Sequence, residues 1–206
     1  MSSPPEFFYF DLGKVLLDFD HGIACRQLAE LLVTTEDVIQ RDVFVSGQQW
    51  KYERGEIDTP QFHQWLCERY EIEPSIEDVV YAASAIFQPM PEVIEIAQRL
   101  NEAGHRMGIL SNTCDAHWQY CLDRPYSFLD ELFSVHALSF RLGCAKPESA
   151  IYEKAAQLCE ADPKNVFFVD DRSENVEGAV SAGYDAILFQ DAAQLRAELH
   201  VRGVHL

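Results

Sequence analysis

The sequence predicts an α/β protein in which helices cover both faces of a parallel sheet and a small all-helical module follows the first strand. Three observations carry this prediction. An apolar run near the N-terminus has the length of a buried strand. The stretch from about 20 to 88 has helical periodicity without an intervening strand pattern. From Pro91 onward, short apolar runs alternate with helical patterns, as is typical of parallel strands buried on both faces.

The first predicted strand is FFYFD, residues 7–11. Four consecutive aromatic residues indicate burial on both faces, and Asp11 stands at the carboxyl end of the run. An aspartate at such a point is either a cap for the following turn or a residue with a chemical role, because Asp is common where strands give way to turns. This stretch alone leaves both interpretations open.

The predicted helical module contains clear start signals. Thr59 before Pro60 suits an N-cap followed by proline in the first turn, and Ser75 with Asp78 three residues later resembles a capping box. Trp50 is expected in the interior of the module rather than at a ligand site. Four helices are expected here, at about 22–33, at about 36–45, from 59 onward, and from 75 to about 87.

The second half of the chain supplies the rest of the predicted sheet. One helix starts at Pro91 and is closed by Gly104, and another is closed by Gly183. The strands are apolar runs at 106–112, 165–171 and 185–189, and a helix over about 150–158 precedes the second of them. We therefore expect a Rossmann-like core over 1–19 and 89–206 and a helical domain over 20–88. Such sheets bind ligands at the carboxyl ends of their strands.

The charge of the chain restricts its partners. With 16 Lys and Arg against 34 Asp and Glu, the formal net charge is −18, which argues against nucleic acid and against an anionic membrane surface as partners. No apolar run approaches the ~20 residues that would span a bilayer. An anionic small molecule is compatible with this composition if a bound cation or a lysine offsets the local charge.

The compartment is predicted from the cysteines and the N-terminus. The six cysteines contain no C-x-x-C pair and no disulfide-framework spacing, which is typical of reduced thiols in the cytoplasm. The N-terminus lacks a basic stretch followed by an apolar run, so no secretory signal is expected. We therefore expect a cytoplasmic protein.

Chemistry-bearing residues follow the predicted strands. Asp11, Ser111 and the Asp170-Asp171 pair stand at carboxyl ends of strands, so the fold brings them to one edge, and Lys146 lies in the segment GCAKPES between two of those strands. A carboxylate can attack phosphorus, and further acids can hold Mg²⁺. A hydroxyl and an ammonium can bind the other phosphoryl oxygens. This set predicts phosphoryl transfer.

The sequence also resembles the haloacid dehalogenase-like hydrolase superfamily. The ordered motifs that carry the resemblance are YFDLGKV, ILSNT, AKPES and VFFVDDRSEN, and they cover essentially the whole chain. The wording FDLGKVLLDFD, with ERGEI at 53–57, looks most like a small-sugar phosphatase branch that includes the alpha-D-glucose-1-phosphate phosphatases. That branch carries a helical cap after the first strand, as the periodicity independently predicts here.

The resemblance implies a nucleophile and a metal site. Asp11 would be the nucleophile and a Mg²⁺ ligand, and the carbonyl of Gly13 would be a second ligand. Asp171, with Asp170 beside it, would complete the protein's share of the metal shell. Asn175, one helical turn beyond the acid pair, would orient that pair.

The resemblance also implies a binding site for the phosphoryl group. Ser111 and the backbone N–H of Asn112 would hold this group, and Lys146 would neutralise its charge. Glu53 and Arg54, in the cap, would contact the rest of the substrate, although the ERGEID stretch also suits a solvated turn between helices.

The chain departs from the resemblance at Gly13, where most phosphatases of the superfamily carry an acidic proton donor two residues after the nucleophile. A general acid contributes about 10²–10⁴-fold. The leaving group is then a good one, such as an anomeric hydroxyl, or another residue supplies the proton, or the enzyme is slow. Asp20, His21 and Glu53 are the candidate donors. Glycine at this position also permits backbone dihedrals that other residues avoid.

The leading expectation is a Mg²⁺-dependent phosphatase that hydrolyses a small phosphorylated metabolite, such as a sugar phosphate, through an aspartyl-phosphate. One alternative is a metal-independent 2-haloacid dehalogenase, in which the Asp170-Asp171 pair would have no evident role. A second alternative is a weakly catalytic metabolite-binding protein, which Gly13 alone suggests. The sequence does not predict the oligomeric state.

Overall fold

The structure is a computed structural model that describes residues 4–123 and 126–205. Within that part of the chain a five-stranded parallel sheet has the order β5-β4-β1-β6-β7, and β2 pairs with β3 in a separate antiparallel ribbon. The strands are β1 (Phe7–Phe10), β2 (Leu17–Phe19), β3 (Phe87–Pro89), β4 (Arg106–Ser111), β5 (Val135–Leu138), β6 (Val166–Asp170) and β7 (Asp185–Leu188).

The register of the sheet aligns the strand ends that carry polar residues. Phe10 is opposite Ile109 on β4 and Val169 on β6. Asp11 therefore follows β1 at the same edge where β4 ends at Ser111 and β6 ends at Asp170. The predicted fold class, a Rossmann-like parallel sheet between helical layers, is confirmed.

The aromatic residues of β1 are divided between the two faces of the sheet. Phe8 and Phe10 pack in one apolar cluster, which also contains Trp118. Phe7 and Tyr9 pack in the other. Side chains alternate along a strand, and burying each large apolar side chain contributes about 1.5–3 kcal/mol. The four-aromatic run is thus explained by a central strand with a core on both sides.

Helices follow the strands on both faces. In the inserted segment they are α1 (His21–Leu31), α2 (Glu36–Ile39), α3 (Gln48–Glu53), α4 (Thr59–Tyr70) and α5 (Ile76–Ser84), and a π-helical turn, Gln40–Val45, extends α2. Around the sheet they are α6 (Pro91–Glu102), α7 (Asp115–Leu122), α8 (Phe128–Leu132), α9 (Ser139–Leu142), α10 (Ser149–Cys159), α11 (Ser173–Ser181) and α12 (Ala192–Val201). A 3₁₀ turn, Pro163–Asn165, precedes β6.

The start signals of the inserted helices differ in one case from the prediction. Thr59 is the first helical residue rather than the cap, because Asp58 accepts the N–H of Gln61 and the Gln61 side chain accepts the N–H of Asp58. This reciprocal pair is a capping box. Ser75 caps α5 as predicted, since its hydroxyl accepts the N–H of Asp78.

The predicted end of α5 at about 87 is wrong, and so is the expectation that no strand occurs before 89. The helix ends at Ser84, and β3 begins at Phe87 and pairs antiparallel with β2. Phe19 is opposite Phe87 in this ribbon. The chain leaves and re-enters the sheet layer through these two strands, and both are only three residues long, too short to give an alternating pattern.

The inserted helices share an apolar cluster with the sheet layer. Leu28, Ile39 and Leu66 pack there together with Cys114 and Ala116, which lie at the start of α7. The division into a core of 1–19 with 89–206 and a helical domain of 20–88 stays a prediction. Within 4–123 and 126–205, none of the helices combines the length and the apolar character that crossing a bilayer requires.

Candidate active site

A cavity of about 210 Å³ opens where the carboxyl ends of β1, β4 and β6 face the inserted helices. On the sheet side it is lined by residues at the end of these strands or directly after them, including Asp11, Ser111 and Asp171. On the other side it is lined by residues of the inserted segment and the ribbon, including His21, Glu53 and Phe87. The site therefore lies between the two layers of the molecule.

Three carboxylates converge at the sheet edge. Asp11, Asp170 and Asp171 each offer an oxygen within 4.8 Å of the others. Asp11 is buried, and its Oδ1 accepts the N–H of Leu12 at 2.7 Å. Hard oxygen ligands in such a group suit Mg²⁺, so the donor set fits the predicted ion.

Lys146 stands among these acids. Its buried Nζ lies 2.9 Å from Asp11 Oδ1 and donates to Asp170 Oδ2 at 2.6 Å and to the carbonyl of Leu110 at 2.9 Å. Burial raises the pKa of Asp11, and the ammonium opposes that rise. Burial alone would lower the pKa of Lys146, but the two carboxylates outweigh it and raise that pKa. The lysine therefore remains a cation beside the nucleophile candidate.

The adjacent acids Asp170 and Asp171 occupy different environments. Asp170 is fully buried and accepts hydrogen bonds from Lys146 Nζ, from the N–H of Arg172 and from Asn175 Nδ2. Asp171 lines the cavity, whereas Asp170 does not. Burial raises the pKa of Asp171, and the charge of Asp170 adds to the rise. Asp171 is thus the acid of the pair that faces the cavity, and Asp170 bonds to Lys146 and Asn175.

Ser111 and Asn112 line the cavity at the end of β4. Ser111 is buried. The side chain of Asn112 accepts the N–H of Lys146 at 2.8 Å and donates to its carbonyl at 2.9 Å. The sequence singled out only the backbone N–H of Asn112, yet its amide clamps the segment that carries the lysine. The Lys146–Pro147 peptide is cis.

Gly13 also lines the cavity, and the structure leaves no room for a side chain at this position. A Cβ atom on Gly13 would lie 2.6 Å from Cε1 of Phe19. The φ angle of Gly13 lies outside the left-handed region. A left-handed backbone is therefore not the reason for a glycine at this position. The ring of Phe19 fills the space that a side chain at position 13 would need.

The two cap residues predicted to contact substrate lie in different places. Glu53 lines the cavity, and its Oε1 accepts Gln49 Nε2 at 3.0 Å. Burial raises the pKa of Glu53 to about 7. Arg54 is not among the residues that line the cavity: its guanidinium pairs with Glu56 and with Glu148. Because Glu148 follows the Lys146 segment, Arg54 ties the inserted helices to the sheet layer.

The candidate proton donors are also separated by the structure. Asp20 caps α1, with its Oδ1 accepting the N–H of Gly22 at 2.7 Å, and does not line the cavity. His21 lines it beside Phe19, with ring centroids 4.9 Å apart. Burial lowers the pKa of His21. His117, which the sequence did not single out, lines the cavity as well, and burial lowers its pKa to about 4.

An aromatic wall completes the cavity. Trp50 is 43% exposed and lines it, so the expectation that this residue belongs to the interior of the helical module is wrong. Phe19 and Phe87, the paired residues of the ribbon, form the rest of the wall. No periodicity in the sequence distinguishes these residues from core aromatics, since their exposure depends on how the inserted helices face the sheet.

Comparison with known proteins gives a consistent result. The family described as haloacid dehalogenase-like hydrolase matches residues 8–183. A D-ribitol-5-phosphate phosphatase of Bacteroides thetaiotaomicron is 23% identical over 201 residues, which cover 93% of this chain and 95% of the relative. A HAD family enzyme of the same organism, solved in complex with magnesium and inorganic phosphate, superposes with a TM-score of 0.78 and 24% identity over 93% of this chain and 98% of its own. A HAD-like family hydrolase of Porphyromonas gingivalis superposes with a TM-score of 0.84 and 20% identity over 96% of this chain and 98% of its own.

Proposed function

This chain belongs to the haloacid dehalogenase-like hydrolase family, and from that premise we propose that it is a Mg²⁺-dependent phosphatase acting on a small phosphorylated metabolite through an aspartyl-phosphate. The observation that carries the proposal is the position of Asp11. This carboxylate faces a cavity, lies 2.9 Å from Lys146 Nζ, and shares its edge of the sheet with Asp171. A nucleophile, a cation and a metal-binding acid are thus directed at one point.

The ion would be held by Asp11, by Asp171 and by the carbonyl of Gly13. A bound Mg²⁺ supplies Lewis-acid stabilisation of a phosphoryl oxygen. The chain's own groups do the remaining work. Asp11 attacks phosphorus with one carboxylate oxygen, while Lys146 balances the negative charge of the phosphoryl group.

The end of β4 supplies the other contacts to the phosphoryl group. The hydroxyl of Ser111 and the N–H of Asn112 donate hydrogen bonds to its oxygens, where charge accumulates during transfer. Water then hydrolyses the aspartyl-phosphate and restores the Asp11 carboxylate. Asn175 and Asp170 keep Lys146 and the Asp171 segment in position throughout, since Asn175 bonds both oxygens of Asp170.

The substrate class follows from the size and lining of the cavity. A volume of about 210 Å³ is small compared with the roughly 300–1,000 Å³ of sites for drug-sized ligands. Trp50 and Phe87 offer apolar faces to a carbon skeleton, and Glu53 offers a polar contact. These features, together with the relative that acts on D-ribitol-5-phosphate, support a sugar phosphate or sugar-alcohol phosphate as substrate.

We further propose that residues 20–88 act as a cap domain. The helices of this segment lie between β2 and β3 in the chain, and they provide Trp50 and Glu53 to a cavity that Asp11, Ser111 and Asp171 line from the sheet side. Such a lid excludes water from the transfer step.

The test is turnover of 4-nitrophenyl phosphate and of a panel that includes D-ribitol 5-phosphate, alpha-D-glucose 1-phosphate and glucose 6-phosphate, with and without Mg²⁺. Asp11→Asn keeps the shape of the side chain and removes its nucleophilicity. We expect Mg²⁺-dependent turnover that this variant reduces by more than about 10⁴-fold, beyond what a single acid-base group contributes, with an unchanged circular dichroism spectrum. Halide release from 2-chloropropionate without metal, or no turnover of any phosphate ester, would contradict the proposal.

A further inference from the structure

Hydrolysis of a sugar phosphate requires a proton donor as well as a nucleophile. When the bond from phosphorus to the leaving oxygen breaks, that oxygen takes the electron pair, and an alkoxide is a much stronger base than water at neutral pH. A positioned acid removes this cost, typically worth about 10²–10⁴-fold in rate. This requirement rests on the proposed phosphatase function, and the residues assigned so far do not meet it.

The residue two positions beyond the nucleophile cannot supply the proton. Gly13 has no side chain, and the ring of Phe19 occupies the space beside it. Among the described residues that line the cavity, the titratable side chains are Asp11, His21, Glu53, His117, Lys146, Asp171 and Arg172. In the proposed function Asp11 attacks phosphorus, and Asp11 and Asp171 bind the metal. The ammonium of Lys146 is paired with Asp11 and Asp170. The guanidinium of Arg172 does not release its proton near pH 7.

We propose that Glu53 is the general acid that protonates the leaving oxygen. Glu53 is the last residue of α3 and reaches the cavity from the inserted helices, opposite the sheet edge that carries Asp11. A leaving group bound to phosphorus at that edge extends toward this side of the cavity. Gln49 Nε2 donates to one carboxyl oxygen of Glu53 at 3.0 Å. The other oxygen can carry the proton toward the substrate.

The backbone of Glu53 is fixed to the sheet layer rather than only to its own helix. The hydroxyl of Ser139, at the start of α9, donates to the carbonyl of Glu53. The same hydroxyl accepts the N–H of Thr113 at 3.0 Å, one residue beyond the predicted phosphoryl-binding N–H of Asn112. A single side chain thus sets the position of the proton donor relative to the phosphoryl site, although 60 positions separate Glu53 from Thr113 in the numbering.

The protonation states favour Glu53 over the histidines. Burial raises the pKa of Glu53 to about 7, so a large fraction of the carboxyl holds its proton at neutral pH. The groups that face it are the Gln49 amide, the Cys114 thiol and the Arg172 guanidinium. The hydrogen bond from Gln49 and the charge of Arg172 lower the pKa of Glu53, and burial outweighs both. Burial lowers the pKa of His21 and that of His117, so both are mainly neutral at the same pH.

The step balances without a further reactant. Asp11 forms a bond to phosphorus, the bond to the leaving oxygen breaks, and that oxygen takes the Glu53 proton as the alcohol departs. Glu53, now a carboxylate, removes a proton from the water that attacks the aspartyl-phosphate. Inorganic phosphate leaves, Asp11 is again a carboxylate, and Glu53 is again an acid.

The experiment compares substrates that differ in leaving group. Glu53→Gln keeps the Gln49 contact and removes the transferable proton. We expect kcat/KM for D-ribitol 5-phosphate to fall by about 10²-fold or more, and that for phenyl phosphate to fall less. The loss for 4-nitrophenyl phosphate should be the smallest, because its phenolate leaves without protonation. The plot of log kcat/KM against leaving-group pKa should be steeper in the variant than in the unmodified protein.

The matched control is Glu56→Gln, which changes an exposed acid of the same loop that pairs with Arg54. We expect this variant to show the slope of the unmodified protein.

Above pH 7, kcat/KM of the unmodified protein for D-ribitol 5-phosphate should fall as Glu53 loses its proton, and this fall should be absent in Glu53→Gln. Equal losses on all three substrates, or a selective loss produced by His21→Gln instead, would overturn the assignment. If the unmodified protein turned over no phosphate ester, the proposed function itself would fail. If it turned over phosphate esters and Glu53→Gln left the slope of log kcat/KM against leaving-group pKa unchanged, only the assignment of Glu53 as the acid would fail.

Discussion

Phe19 controls what can stand two residues beyond Asp11. Its ring packs against His21 and Phe87, with centroids 4.9 and 6.0 Å away, and its Cε1 would lie 2.6 Å from a Cβ at Gly13. A larger residue at position 13 therefore meets an aromatic ring held on two sides. The identity of this glycine depends on a contact with the ribbon rather than on its own backbone.

We expect Gly13→Asp to destabilise the fold by about 1–3 kcal/mol, as overpacking does. Phe19→Ala should cost less in the Gly13→Asp background than in the unmodified protein, because it makes room for the new side chain. The coupling energy from urea unfolding of the four proteins measures this, and values above about 0.5 kcal/mol indicate contact. Additive effects of the two substitutions would mean that the ring of Phe19 does not occupy the space needed by a side chain at position 13.

Glu53 gives the stability of the protein a testable pH dependence. Its pKa rises from 4.5 to about 7 on folding, so the stability it contributes is fully present below pH 4.5 and is lost as the pH rises to about 7. The variant Glu53→Gln has no carboxyl group at this position, so it does not lose this stability as the pH rises. Above pH 7 the variant should therefore be more stable than the unmodified protein, on the order of 1–3 kcal/mol, with little difference at low pH.

The measurement is the difference in the free energy of unfolding between the two proteins at pH 5 and pH 8. Titration of all other groups cancels in that difference. The control variant Glu56→Gln removes an exposed carboxylate of the same loop, so it controls for the loss of one negative charge there. A Glu53→Gln difference that is equal at both pH values would contradict the raised pKa.

At the scale of elements, the four-residue helix α9 connects the two layers of the molecule. Ser139 contacts the carbonyl of Glu53, and the carbonyl of Phe140 lies so close to Gly55 that a Cβ there would be 2.2 Å away. Gly55 also has φ +68°, in the left-handed region. The loop that follows α3 is thus fixed in position by backbone contacts with α9, as well as by the pairing of Arg54 with Glu148.

Gly55→Ala should therefore destabilise the protein and lower kcat/KM for D-ribitol 5-phosphate. Gly143→Ala is the matched control, because Gly143 has φ +65° but no atom within 4 Å of its Cβ position. Both variants have the dihedral cost of about 1 kcal/mol, and only Gly55→Ala adds the clash with α9. Urea unfolding and steady-state kinetics compare them. Equal effects in the two variants would show that the contact with α9 is unimportant.

At the scale of the whole molecule, the site concentrates negative charge in a chain that is already strongly acidic. The formal net charge is −18, and the oxygens of Asp11, Asp170 and Asp171 lie within 4.8 Å of one another. Lys146 is the cation that contacts two of these acids. A divalent ion that binds only the folded protein should therefore stabilise it, by about 2.7 kcal/mol at a hundredfold excess over Kd.

We expect millimolar Mg²⁺ to raise the melting temperature of the protein and Asp171→Asn to remove most of this increase. Sodium chloride at matched ionic strength controls for screening, and Glu153→Gln, at an exposed acid of α10, controls for the loss of one charge. Differential scanning calorimetry gives the result. A melting temperature that does not change with Mg²⁺ in the unmodified protein would contradict the metal site.

The sequence alone determined four strands of the five-stranded sheet and the chemical residues at its edge. Buried parallel strands appear as continuous apolar runs, and their carboxyl ends meet at one edge, so Asp11, Ser111 and the Asp170-Asp171 pair could be brought together without coordinates. The strands β2 and β3 were missed because three residues carry too little pattern. The strand β5 was missed because His136 interrupts its apolar run.

The tertiary structure alone decided which groups face the cavity. That Asp171 rather than Asp170 faces it, that Phe19 closes the space beside Gly13, and that Trp50 is exposed all depend on side-chain direction and on packing between layers. The same holds for Glu53, which the sequence could name only as one candidate acid among three. Its burial against the sheet layer raises its pKa. Local sequence patterns fix which element a residue belongs to, but residues far apart in the chain fix its environment, and the environment sets its chemistry.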